Sequence, residues 1–203
     1  MPGMDRRMFG YGGPGGCDSL TAFAESDDQA DDPTIPRGRA TMTKPKDIPP
    51  AWRRVTTIAV GGLTEVGFDA TEGYLLVVSW QGRGLIDTRS GRKLARDDEE
   101  PVSGARWIDE AARTVAGIGL LEGQAIPCVG LWGGALPERV DGWSMRVRST
   151  DGADNVFLVD ERTATSWPLQ STITEVRAAG FSASGQIAVV ATSSDIDLYA
   201  RTS

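Results

Sequence analysis
The residues best equipped for chemistry in this chain are carboxylates, tryptophans and a few glycine-flanked cations. Asp97-Asp98-Glu99-Glu100 is the densest acidic run, and it could attract a metal ion or a cationic partner. A calcium loop needs oxygen ligands at alternating positions and a glycine for its sharp turn, and this run has neither. A solvated connection is the plainer reading. Asp151-Gly152-Ala153-Asp154-Asn155 has too few ligands for calcium and reads as a hairpin turn. Asp109-Glu110 could begin a general acid/base pair, but no second pair converges on it in the sequence. Gly82-Arg83-Gly84 and Gly133-Gly134 lack the spacing of a phosphate-cradling loop. Nothing in the sequence supports Lys44 or Lys93 as a Schiff-base nucleophile.

The absence of histidine excludes more than any residue present implies. A Ser-His-Asp or Cys-His hydrolase of the usual form cannot be built without an imidazole. Cys17 and Cys128 are far apart and frame neither a disulfide scaffold nor a zinc site, so no metal and no cofactor is expected. Cys128, within Ile126-Pro127-Cys128-Val129, reads as a small core hydrophobe. The net charge of -7 opposes binding to nucleic acid or to an anionic membrane, and it suits a basic protein partner. No stretch approaches the apolar length of a transmembrane helix, and no apolar run follows Arg6-Arg7 to make a secretory signal, so a cytoplasmic location is expected.

Six tryptophans remain: Trp52, Trp80, Trp107, Trp132, Trp143 and Trp167. Trp80-Gln81-Gly82-Arg83 and Trp132-Gly133-Gly134 fall at strand ends, where large aromatics make protein-binding anchors. Trp107 and Trp167 read as packing between layers. The candidate binding residues are therefore Trp80, Arg83, Trp132, Asp97, Asp98, Glu99 and Glu100, and no catalytic residue is assigned.

The elements that must hold these residues are short strands. Residues 1–50 read as a flexible arm, from Tyr11-Gly12-Gly13-Pro14-Gly15-Gly16 through the acidic Asp27 to Pro33 run to Pro49-Pro50, and Met42-Thr43-Lys44 reads as an alternative translation start. Residues 51–203 read as an all-β domain. Thr56 to Val60, Tyr74 to Trp80, Ala105 to Ile108, Thr114 to Leu120, Ile126 to Trp132, Trp143 to Arg148, Asn155 to Asp160 and Ile187 to Val190 read as strands, rich in β-formers and separated by glycine or polar turns. Tyr74 to Trp80 is almost continuously apolar, as a strand covered on both faces would be. The alternation of Met145 and Val147 with Arg146 and Arg148 predicts one wet face.

Part of this pattern recurs. Gly67-Phe68-Asp69-Ala70, Gly73 and Leu75 to Val78 return as Gly180-Phe181-Ser182-Ala183, Gly185 and Ile187 to Val190. Leu85-Ile86-Asp87-Thr88-Arg89-Ser90 returns as Leu158-Val159-Asp160-Glu161-Arg162-Thr163. The unit resembles a blade of a β-propeller of the WD40-like kind, over about half of the chain. It departs from that family in lacking the Gly-His and Trp-Asp pairs and in having only three to four units' worth of sequence. The resemblance implies a small, repeat-built antiparallel β fold, an incomplete or minimal propeller, with a β-sandwich as the alternative.

The functional expectation is a non-enzymatic protein-binding module that uses loops at one end. Its narrower form is a bacterial immunity or inhibitor protein that neutralises a basic partner enzyme. Two alternatives stand beside it: a hydrolase or lyase with carboxylates meeting on a propeller-like face, and a small-ligand or carbohydrate binder using exposed tryptophan.

Overall fold
The computed structural model describes residues 48–101 and 105–202. The chain divides into two units, Met1–Pro33 and Thr34–Ser203, and all described residues belong to the second. The arm expected over 1–50 lies outside the described residues except for Ile48, Pro49 and Pro50, as do Cys17 and Lys44. Ile48 packs on a core cluster, and Pro49 accepts a hydrogen bond from the Trp52 amide at 2.8 Å, so the described fold starts just before Ala51.

The fold is all-β. In chain order the strands are β1 (Trp52–Ala59), β2 (Leu63–Phe68), β3 (Tyr74–Ser79), β4 (Gly82–Asp87) and β5 (Lys93–Asp97). Four short ones follow: β6 (Ile108–Asp109), β7 (Thr114–Ala116), β8 (Ala125–Pro127) and β9 (Val129–Gly130). Then come β10 (Arg139–Val140), β11 (Trp143–Thr150), β12 (Ala153–Asp160) and β13 (Thr165–Thr172), and finally β14 (Val176–Phe181), β15 (Ile187–Thr192) and β16 (Asp195–Arg201). They form four antiparallel sheets, ordered β5-β4-β3-β2-β9, β6-β7-β8, β10-β11-β12-β13 and β1-β16-β15-β14, none of them closed into a barrel.

Three hydrophobic clusters explain why the central strands read as continuous apolar runs. Leu75 and Val77 of β3 meet Val189 and Leu198 of the terminal sheet. Leu76 and Val78, on the other face of β3, meet Trp107, Val115 and Ile126 of the three-stranded sheet. Likewise Val189 of β15 faces the five-stranded sheet, while Ala188 and Val190 face Trp143, Met145 and Leu158 of the β10–β13 sheet. Successive side chains of a strand point to opposite faces, so a strand between two neighbouring sheets must be apolar at every position.

The last sheet is completed by the first strand. β1 pairs antiparallel with β16 from Trp52 opposite Arg201 to Ala59 opposite Asp195, with a bulge between Arg54 and Thr56. A polar clasp lies across this pairing. The Arg54 guanidinium donates to the Tyr199 hydroxyl at 3.1 Å, lies over the Tyr199 ring and reaches Asp197 at 3.8 Å, and the Thr57 hydroxyl donates to Asp197. Burial, with Asp197 beside it, pushes the Tyr199 phenol above its ordinary range. Trp52 packs edge-on against Trp143 at 6.0 Å and beside Phe181 at 5.6 Å, which ties β1 into the neighbouring core.

Two turns in the matched segments are closed by the same kind of hydrogen bonds. The Asp69 amide bonds to the Tyr74 carbonyl at 3.1 Å and the Ser182 amide to the Ile187 carbonyl at 2.9 Å. The amides of Glu72 and Gly185 close the two turns onto the carbonyls of Asp69 and Ser182. Glu72 therefore takes the place of Gly185, whereas the sequence match sets Gly73 there. Glu72 and Gly185 are both left-handed, with φ of 58° and 70°. The other repeat behaves alike: Asp87 accepts the amides of Arg89 and Ser90, Asp160 accepts that of Arg162, and Ala164 (φ 52°) stands where Gly91 (φ 71°) does.

The middle of the chain departs from expectation. The strand read from Thr114 to Leu120 stops at Ala116, because Gly119 is left-handed (φ 56°) and a 3-10 turn covers Gly119–Leu121. Ala105 to Trp107, expected as strand, form none, and only Ile108–Asp109 pair.

A left-handed alanine costs roughly 1 kcal/mol that glycine does not pay. Ala164→Gly is expected to raise stability by about 0.5–1 kcal/mol, read as a higher urea midpoint; an unchanged or lower midpoint contradicts the strain.

Candidate functional site
The turns at one end of the sheets are joined by hydrogen bonds from backbone amides to carbonyls and to the Asp154 carboxylate. The Val176 amide donates to Asp154 at 3.1 Å, and the Ser193 amide to the Glu175 carbonyl at 2.9 Å. Leu63 and Val60 donate to Ser193 and Ser194, Trp80 to Gly62 at 3.0 Å, and Leu131 to Thr64 at 2.9 Å. This belt runs from the β11–β12 turn to the β9 segment and crosses three sheets.

Trp80 sits in the tight connection between β3 and β4 and is 54% exposed. Its ring lies where a side chain on Gly62 would project; a Cβ there would come within 2.9 Å of Cδ1. Gly82 (φ 108°) lets the β4 backbone pass the Asp97 carbonyl, which a Cβ would meet at 2.2 Å. Trp80 and the start of the Asp97 to Glu100 run are thereby brought to the same end. Two residues the sequence reading passed over join them: Leu131, 45% exposed, and Ile173, 89% exposed. Leu131 lies in a run that read as strand interior and Ile173 in a stretch given no element, and the turns that follow pairing expose both.

Arg83 and Trp132 lie beneath this surface. Arg83 is buried, with its guanidinium 4.4 Å from the Trp107 ring centre and donating to the Ala116 carbonyl at 2.8 Å and to Asp97. It joins the three-stranded sheet to the five-stranded one. Trp132 is half-buried against the same core, and its amide donates to Glu65 at 2.7 Å.

The end is acidic. Asp97 and Glu175 are answered by Arg83 and Arg177, and Asp98 by Arg96 at 2.8 Å in a fully exposed pair of small energetic consequence. Glu99 lies 3.8 Å from Arg83 and is mostly exposed. Glu100 and Asp151 are exposed and have no ion pair among the described residues. Asp151 and Gly152 are both left-handed and make the hairpin turn read from the sequence. Asp109 accepts the Ala112 amide at 2.9 Å within a local turn. Among the described residues no group of three or more Asp, Glu or Cys is arranged to hold a metal ion, and no helix is long and apolar enough to cross a membrane.

Glu65 is the titratable group that no sequence pattern singles out. It is wholly buried on β2; one oxygen accepts the Trp132 amide, and the other has no hydrogen-bond partner. Gly130 (φ 150°) packs against that second oxygen, which a Cβ would approach to 2.9 Å. Burial pushes the carboxyl up to about 7 against the opposing pull of the Trp132 amide and Arg177. Neighbouring Cys128 is buried, and desolvation with the Glu65 charge pushes its thiol up to about 12. A carboxyl near neutrality has the proton affinity of a general acid or base. Glu65 lines neither the cleft beside β1, β4 and β5 nor the one over β6 to β8. Its visible work is to hold the Leu131-Trp132 turn.

No protein-family model matches the chain, and no curated protein matches it.

The Glu65 carboxyl titrates near 4.5 when unfolded and near 7 when folded, so the folded state holds an extra proton between those values. Its contribution is most favourable below about pH 4.5 and is lost as pH rises through 7, by up to about 3 kcal/mol. Glu65→Gln is expected to flatten this fall, measured as urea midpoints between about pH 5 and about pH 8; parallel profiles for the two proteins would refute it.

Proposed function
We propose that this chain is a non-enzymatic protein-binding module whose contact surface is the acidic loop end bearing Trp80, Leu131 and Ile173. The observation that carries the reading is the hydrogen-bonded belt of turns that holds these exposed apolar groups amid Asp98, Glu99, Glu100 and Asp151. Interface hot spots are large apolar side chains ringed by polar groups, and a preorganised backbone limits the entropy lost on binding. The carboxylates favour a basic partner and hasten its encounter at low salt.

Within this reading the sheets are the blades of a minimal β-propeller-like assembly. Supporting it are the third-strand aspartates Asp87 and Asp160, each capping a turn, and the completion of the last sheet by β1. The narrower role is an immunity or inhibitor protein that caps a basic enzyme in the cytoplasm; acidity, size and the lack of histidine support that step.

The test is a complex recovered with the full chain and then measured with purified components. Trp80→Ala is expected to weaken it by at least about tenfold, with a rough 1.4 kcal/mol loss, and Glu99→Lys with Glu100→Lys to slow association most at low salt. Thermal midpoints should stay unchanged, because these side chains are exposed. A native mass spectrum showing only free chain, or a Trp80→Ala protein that binds like the parent, would sink the proposal.

A further inference from the structure
A cleft of about 400 Å³ opens between the outer strands of two adjacent sheets, β1 on one side and β4 with β5 on the other. Its volume is in the range of small-molecule sites, which span roughly 300–1,000 Å³. Ile58, Val77 and Ile86 make an apolar floor. The space exists because two glycines border it: a Cβ on Gly61 or Gly84 would meet no atom within 4 Å. Gly84 lies in the middle of β4, where a strand ordinarily carries a side chain that packs.

The polar groups of the cleft are biased in sign. Register sets Lys93 opposite Ile86 and Arg96 opposite Gly84, and directly opposed residues share a face, so both cations stand on the cleft side. Among the described residues no aspartate or glutamate lines the cleft. Lys93 is exposed and has no ion-pair or hydrogen-bond partner among the described residues. Arg96 pairs with the exposed Asp98, a contact readily exchanged for another anion. In a strongly acidic protein, an apolar slot edged by two cations is complementary to one kind of molecule.

We infer that this cleft binds a small amphipathic carboxylate, with its aliphatic or aromatic body over Gly84 and its carboxylate between Lys93 and Arg96. The inference is independent of the loop-end reading, because it uses neither Trp80, Leu131 nor Ile173. It also assigns a purpose to Gly84 that turn geometry does not supply.

The experiment is calorimetric titration of the full chain with octanoate below its micelle-forming concentration, with 1-octanol and octylammonium as neutral and cationic counterparts. Octanoate is expected to bind saturably at one site, and the other two at least about tenfold more weakly. Gly84→Val fills the cleft in an unstrained strand position, so it should keep or raise the thermal midpoint while abolishing octanoate binding. Lys93→Glu with Arg96→Glu should weaken octanoate by about tenfold or more and remove its preference over octanol. The inference is overturned if the parent chain does not bind octanoate, if octylammonium binds equally well, or if folded Gly84→Val binds like the parent.

Discussion
The pairing of β1 with β16 is the constraint on which the rest of this structure depends. These strands come from opposite ends of the described chain, yet they form one sheet whose two faces support two of the three cores. Ile58 serves the core toward the five-stranded sheet, while Trp52, from the same strand, serves the core toward the β10–β13 sheet. Joining the ends shortens the free chain and lends the edge of β16 a partner it would otherwise expose. The clasp of Arg54, Tyr199, Asp197 and Thr57 fixes the register, because a one-residue slip would invert which side chains face each core.

Buried charge is used sparingly and in two different ways. Arg83 lies inside, but its guanidinium has a carboxylate, a carbonyl and an indole face, so its desolvation is largely offset. Glu65 accepts the Trp132 amide through one oxygen, but its second oxygen has no hydrogen-bond partner, which raises the cost of ionising it. Both groups lie under the acidic loop end, and both tie one of its segments to the sheet framework. Polar anchoring of this kind restricts the surface around exposed Trp80 and Ile173 to one geometry, which suits the binding role proposed for it.

The two proposed sites divide along the same framework. At the loop end, turns bound to one another hold apolar groups outward among carboxylates. At the β1–β4–β5 cleft, missing side chains at Gly61 and Gly84 leave a hollow, and the register of β5 brings two cations to it. One surface suits a basic macromolecule and the other a small anion, although the whole chain is acidic. The separation arises because pairing register, more than composition, decides which charges share a face.

Local chemistry made several elements legible in the amino-acid order. The double-sided burial of Tyr74 to Ser79 followed from its unbroken apolar run, and the turns at Asp87, Asp160 and Asp151 followed from residues that cap or reverse a chain by themselves. The acidic run and Trp80 were legible as surface for the same reason. Tertiary structure alone decided that β1 closes the last sheet, that Glu72 rather than the adjacent Gly73 is left-handed, that Ala164 takes a left-handed position like that of Gly91, and that Arg83 and Glu65 are buried while Leu131 and Ile173 are not. The sequence therefore determined an all-β chain of two-faced strands and capped turns, since these depend on neighbours a few residues away. The candidate sites depend on which strands lie side by side, and that is settled only when residues more than a hundred positions apart compete to bury the same apolar surface.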